Sequence, residues 1–114
     1  MADVVREGML DKLSGEYGGK SKYKWDNRFV WLTSQGMNWG KKDKSYDAVN
    51  TLPLDEIESA QYFGQFLDHD NVFFLYTKVK DNKKYFFACR SGEECRQWVM
   101  DVQKMLQALK SQGK

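Results

Sequence analysis

Ser91-Gly92-Glu93-Glu94-Cys95-Arg96-Gln97-Trp98-Val99-Met100-Asp101-Val102-Gln103-Lys104-Met105-Leu106-Gln107-Ala108-Leu109, near the C-terminal end of the chain, is the stretch that decides the fold. Cys95, Trp98, Val99, Val102, Met105, Leu106 and Leu109 recur at i, i+3, i+4 and i+7, which puts them on one face of an α-helix. Arg96, Gln97, Asp101, Lys104 and Lys110 take the other face. Ser91, followed three residues later by Glu94, is a capping-box pattern that marks where the helix starts. An apolar stripe on a helix of about 18 residues is too wide to leave in water. Another part of the chain must cover it, and the rest of the sequence offers strands.

The 114 residues and 13.4 kDa suit one domain with one core, here taken as residues 1–114 with strands over about 6–90 and the helix over about 92–110. Seven Phe, six Tyr and four Trp favour a β-rich interior, and a single Pro with nine Gly leaves little room for linkers. The longest apolar runs, 72–76 and 85–89, fall far short of the roughly 18 residues of a membrane-spanning helix. The first residues carry an early acid and no extended apolar core, unlike a secretory signal. Cys89 and Cys95 have no CxxC partner motif, and reduced cytosolic thiols are the expected state. The net charge of +2 hides a strong division: −1 over residues 1–10, +4 over 11–44, −5 over 45–78 and +4 over 79–114. Folding can gather the first basic block on one side of the molecule.

Period-two patterns place strands at 8–13, 23–33, 37–41, 49–53, 57–63, 72–78 and 84–90. In the first, Gly8, Leu10 and Lys12 share a face. In the second, Asp26, Arg28, Val30 and Leu32 oppose Trp25, Asn27, Phe29 and Trp31. Residues 14–22, 42–47 and 64–71 are read as loops, with turns at 34–36 and around Asp81-Asn82. Seven short strands and one terminal helix argue for an antiparallel meander curled into a small barrel or sandwich, its open end plugged by the helix.

These residues resemble the pleckstrin homology (PH) domain family. The carriers are Gly8-x-Leu10-x-Lys12, Trp25-x-x-Arg28-x-Val30-x-Leu32, Met37-x-Trp39, and Glu93-Glu94-x-x-x-Trp98-Val99, over roughly residues 6–109. The resemblance implies a mainly β fold: seven antiparallel strands in two near-orthogonal sheets, capped by the C-terminal helix. It also implies a non-catalytic module that binds a phosphoinositide headgroup or anionic lipid at the β1/β2 loop end. Carried over by position, Lys12 and Arg28 match the family's first and last basic positions, while Asp26 stands where a basic residue is usual. A carboxylate there repels phosphate and can pair with Arg28 instead. Lys24 is read on the opposite parity from that position, as an imperfect substitute. Lys20, Lys22 and Lys41, with Lys42 and Lys44, complete a cationic rim able to attract anionic lipid without a stereospecific pocket.

The expected protein is therefore a cytoplasmic monomer peripheral to membrane, without cofactor or metal, acting as a signalling adaptor. Its elements begin and end near the chain ends, as in a domain cut from a larger protein. The competing reading for the lysines is a solvated surface. His69, in Asp68-His69-Asp70, has no ligand spacing to another His and is read as part of a solvated loop. Gly15, Gly18 and Gly19 form no phosphate loop, and the acidic middle third disfavours nucleic acid. No nucleophile, metal cluster or carboxylate pair suggests an enzyme. The rival function is a protein-interaction scaffold using Asp55, Glu56, Glu58, Tyr62, Phe63, Phe66 and Leu67, against which burial of those aromatics is the preferred reading.

Overall fold

The computed structural model describes residues 4–14, 24–41, 46, 48, 50–78 and 83–112. Seven antiparallel strands precede one helix: β1 (Val4–Ser14), β2 (Lys24–Thr33), β3 (Gly36–Trp39), β4 (Asn50–Pro53), β5 (Ile57–Phe66), β6 (His69–Thr77), β7 (Lys84–Ala88) and α1 (Gly92–Gln112). A 3₁₀ turn, Leu54–Glu56, joins β4 to β5. The expected loops at 14–22 and 42–47 and the turn around Asp81-Asn82 fall mostly or wholly outside the described residues, as do Lys20, Lys22, Lys42 and Lys44.

The strands form one continuous sheet in the order β4-β3-β2-β1-β7-β6-β5. Its two halves meet at a short ladder, where Asp11 faces Ala88 and Lys12 faces Phe87. Leu52 on β4 and Ile57 and Ala60 on β5 lie at opposite edges of the sheet yet share one core with Leu10, Val30, Leu32, Met37, Phe73, Leu75 and Phe87. The sheet must therefore roll up around that core. α1 packs chiefly against β5 and β6 and contributes Cys95, Trp98, Val99, Val102 and Leu106 to the same cluster, so the stripe predicted from its spacing is the buried one. Trp98 stacks on Phe73 at 6.3 Å, and Phe73 stacks on Phe87 at 5.5 Å. Ser91 caps the helix by accepting from the Glu94 N–H at 3.1 Å, while Glu94 reaches back to the Arg90 N–H at 3.1 Å.

The segment 64–71, read as a loop from its Gly, Asp and Asn content, is instead the end of a hairpin. Phe66 pairs with His69, leaving a two-residue turn, Leu67-Asp68, with φ of 49° and 69°. Positive φ at both central residues is what a type I′ turn requires, and it matches the twist of the flanking strands. His69 is consequently not in a solvated loop. Its ring stacks on Trp25 at 4.2 Å and its Nε2 lies 2.9 Å from Asp11 Oδ2. Trp25 in turn donates to the Leu67 carbonyl at 2.8 Å, binding the hairpin tip to β2.

The outer sheet face carries a second apolar cluster of Leu13, Val72, Phe74, Phe86 and Ala88. Phe66 stacks on Phe86 at 4.6 Å, and Phe63 packs edge-on against Phe66, Phe74 and Phe86. The preferred burial of residues 62–67 holds only in part. Tyr62 is 44% and Phe63 48% exposed, whereas Phe66 and Leu67 are half-buried.

Two substitutions test this account by urea denaturation. Trp98→Ala is expected to cost about 3–5 kcal/mol, since it empties a fully buried site. Trp98→Phe should cost far less, because Trp98 Nε1 has no hydrogen-bond partner among the described residues and the loss is one of volume. Gly36 follows the Ser34-Gln35 turn with φ of 151°, and a Cβ there would lie 2.2 Å from the Leu52 carbonyl oxygen. Backbone cannot step aside as a side chain can, so Gly36→Ala should cost more than about 2 kcal/mol.

Candidate functional site

Gly8, Leu10 and Lys12 share one face of β1, as predicted. Leu10 enters the core, and two residues on Lys12 emerges where β1 is paired to both β2 and β7. Its ammonium donates to the Leu13 carbonyl at 3.1 Å and lies 5.1 Å from the Trp39 ring and 5.7 Å from the Tyr85 ring. Two adjoining clefts open there. The larger, about 450 Å³, is lined by Lys12, Asp26, Arg28, Trp39, Lys41 and Asn50 among others. The smaller, about 260 Å³, shares Lys12, Trp39 and Asn50 and adds Glu56, Thr77, Lys83 and Tyr85.

Strand geometry positions the other cations. Asp26 lies opposite Lys12 in the β1–β2 register, and Arg28 projects from the same face of β2 one pleat further. Beyond β3, the Gly40 N–H donates to the Phe29 carbonyl and the Phe29 N–H to the Lys41 carbonyl, both at 3.0 Å, so the ladder continues far enough to fix Lys41 at the cleft. Lys12, Arg28 and Lys41 are thus brought together. Lys24 is not a lining residue of the larger cleft. Its assignment to the opposite face is corrected by the structure: residues two apart in a strand share a face, and Lys24 Nζ lies 3.6 Å from Asp26 Oδ1.

Asp26 also lies 3.8 Å from Arg28 Nη2, the pairing anticipated for a carboxylate at this position. Its side chain is only 22% exposed, so its charge acts on its neighbours with less screening than a surface carboxylate. Burial, helped by the Lys83 and Arg28 charges, lowers the Lys12 pKa to about 8, with Asp26 working the other way. The site is therefore a cationic cleft whose central charge is held at a cost and partly balanced by one internal carboxylate.

Lys83 was not among the sequence-derived candidates. It comes just before β7, lies 4.8 Å from the Tyr85 ring, and lines the smaller cleft. The sequence placed it in a second basic block, but the β7–β1 pairing that brings that block to Lys12 is a long-range contact with no local signal. Among the described residues no group of three or more His, Cys, Asp or Glu side chains could hold a metal, and no helix is long and apolar enough to cross a membrane.

The model of the PH domain family matches residues 4–107. Among solved structures, the N-terminal PH domain of human ARAP2 protein is similar with a TM-score of 0.69 at 22% identity, covering 91% of this chain and 80% of that one. The C-terminal PH domain of pleckstrin, in complex with D-myo-Ins(1,2,3,5,6)P5, gives a TM-score of 0.70 at 17% identity, covering 93% and 98%. The PH domain of human pleckstrin homology domain-containing protein family A member 5 gives 0.65 at 20% identity, covering 92% and 78%. No curated protein sequence matches.

The lowered Lys12 pKa has a definite sign in stability. An unfolded lysine titrates near 10.5, so between about pH 8 and 10.5 the unfolded chain binds the extra proton and stability rises with pH. Lys12→Met should stabilise the fold by about 1 kcal/mol at pH 7. That advantage should shrink by pH 10, where the native lysine is already neutral. Denaturation midpoints of both proteins at the two pH values check it.

Proposed function

The chain belongs to the PH domain family, and from that premise we propose that its larger cleft receives the phosphorylated inositol headgroup of a membrane lipid. The observation that carries this reading is the convergence of Lys12, Arg28 and Lys41 on one cleft of about 450 Å³. A phosphate entering it meets Lys12, Arg28 and Lys41 among the lining side chains. Arg28 offers a planar fork suited to phosphate oxygens, and Lys12 supplies a compact charge in a partly desolvated place. Asp26 sets the threshold, because the ligand must draw Arg28 away from a carboxylate 3.8 Å off.

Exposed Lys24, with Lys20 and Lys22 on the reading of the sequence, would supply a cationic rim for the anionic membrane surface. Each basic residue near such a surface contributes about 1 kcal/mol, without any stereospecific contact. The protein is then a peripheral, non-catalytic recruitment module at the cytoplasmic face, working as a monomer. It uses no cofactor and no nucleic acid, and it associates with the membrane by charge and shape.

A second reading has its own support. β5 is an edge strand, and Tyr62 and Phe63 stand exposed on it. An extended segment of a partner protein could pair with that edge and cover the two rings.

Sedimentation with liposomes carrying a panel of phosphoinositides, at two salt concentrations, separates these readings. Headgroup binding in the cleft is expected to be selective and to weaken about tenfold or more in Arg28→Ala, the loss of one charge-assisted contact. Asp26→Asn should strengthen it. Because Lys12 loses its proton near pH 8, affinity should fall between pH 7 and 9, and Lys12→Arg should flatten that dependence. Binding to any anionic lipid that fades with salt would leave only the rim. Absence of binding to every lipid tested sinks both lipid readings and leaves the β5 edge.

A further inference from the structure

The smaller cleft, of about 260 Å³, adjoins the larger but carries a different balance of charge. The larger is lined by the cations Lys12, Arg28 and Lys41 against one carboxylate, that of Asp26. The smaller is lined by Lys12 and Lys83 against Glu56, with Thr77 and Tyr85 beside them. Lys12 belongs to both. Once its charge is committed to an anion in the larger cleft, the smaller is left with one cation against one carboxylate, a local balance of zero.

The backbone fixes these opposite charges at one place. The Lys78 N–H donates to the Glu56 carbonyl at 3.3 Å, while the Thr77 N–H and Oγ1 both donate to the Lys83 carbonyl, at 3.0 and 2.8 Å. Glu56, which ends the 3₁₀ turn, and Lys83, just before β7, are thus fastened to adjacent residues at the end of β6. Glu56 is half-buried, so water screens its charge less than at an open surface. Lys83 lies 4.8 Å from the Tyr85 ring, and among the described residues no ion pair engages Glu56. Its carboxylate, an acceptor only, is left open to donors from a ligand.

We propose that Glu56 determines specificity: it accepts hydrogen bonds from hydroxyl groups of a phosphorylated inositol held in the larger cleft, and it rejects a ligand that carries a further phosphate there. The role rests on the larger cleft's being a headgroup site. A hydroxyl is a donor and suits a carboxylate, whereas a phosphate brings like charge to a poorly screened place. Lys83 does not offset this, because its attraction for the phosphate is opposed by the repulsion from Glu56. The wrong ligand is thus turned away by an unfavourable contact rather than only outbid by a better one. The ligand class that follows is an inositol with phosphate on the side of Arg28 and Lys41 and free hydroxyls on the side of Glu56.

The experiment titrates the full chain calorimetrically with soluble inositol bis-, tris- and tetrakisphosphates. It then repeats the ranking by sedimentation with liposomes carrying phosphatidylinositol mono-, bis- and trisphosphates. Glu56→Gln is expected to strengthen binding of the more phosphorylated ligands about tenfold and to leave the least phosphorylated unimproved. Its urea midpoint should match that of the parent, since the bond to Lys78 is made by backbone. Asp26→Asn, which acts through Arg28, should instead strengthen all ligands together and keep their order. A changed order in both arms assigns the hydroxyls and phosphates to a lipid headgroup; a changed order with the soluble ligands alone assigns them to a free inositol phosphate. Either result supports the role of Glu56. If the parent binds and Glu56→Gln alters every ligand equally or none, the inference is overturned and the headgroup site stands. If the parent binds nothing in either arm, both fall.

Discussion

The stack of Trp98 on Phe73 and of Phe73 on Phe87 is the interaction on which the rest of this structure depends. An amphipathic helix must bury its stripe, and a seven-stranded sheet must bury one face. Trp98 satisfies both demands at once because it is long enough to reach the middle of the sheet from α1. Rolling the sheet around it brings the edge residues Leu52 and Ile57 into one core. On the far side of the helix, Arg6 pairs with Asp101 and donates to Gln97 at 3.0 Å, tying the start of β1 to α1. One face of β1 then runs from Gly8, beside Trp98, through Leu10 in the core to Lys12 at the clefts. The distance from structural centre to candidate site is thus two strand pleats on a single element.

Much of this was legible because strand and helix periods differ. Val30 and Leu32 in the core, with Asp26 and Arg28 at the cleft, follow from alternation along one strand. Where the structure departs from these expectations, composition and backbone geometry point different ways. Residues 64–71 look like a loop, yet Gly64 at φ of 98° sits beside irregularities in the β5–β6 register, and the turn itself needs only Leu67 and Asp68. Lys24 stands two residues from Asp26, and alternation along the strand puts both on one face. The outer aromatic cluster was harder to foresee. Phe74 and Phe86 face away from Trp98, and their partners Phe63 and Phe66 arrive from β5 only after the hairpin has closed.

The candidate site was legible only as far as local sequence reaches. Lys12 and Arg28 stand on adjacent paired strands, and their shared face is a matter of register. Lys83 reaches them through β7, which precedes the helix in sequence but neighbours the first strand in space. No count of basic residues along the chain reveals that neighbour.

The electrostatics of the cleft argue that its charge is kept for a purpose other than stability. A lysine that is partly desolvated and flanked by Lys83 and Arg28 is disfavoured in the charged form, and a Met of similar length would fill the same place without that penalty. Asp26 recovers part of the cost, being paired to Lys24 and Arg28 and attracting Lys12. Yet a carboxylate that balances the cations also occupies the arginine a phosphate would use. The arrangement is therefore one of partial balance: an internal anion holds the cations in place at modest strength, and the charge left on Lys12 is a cost that the packing of the fold does not require.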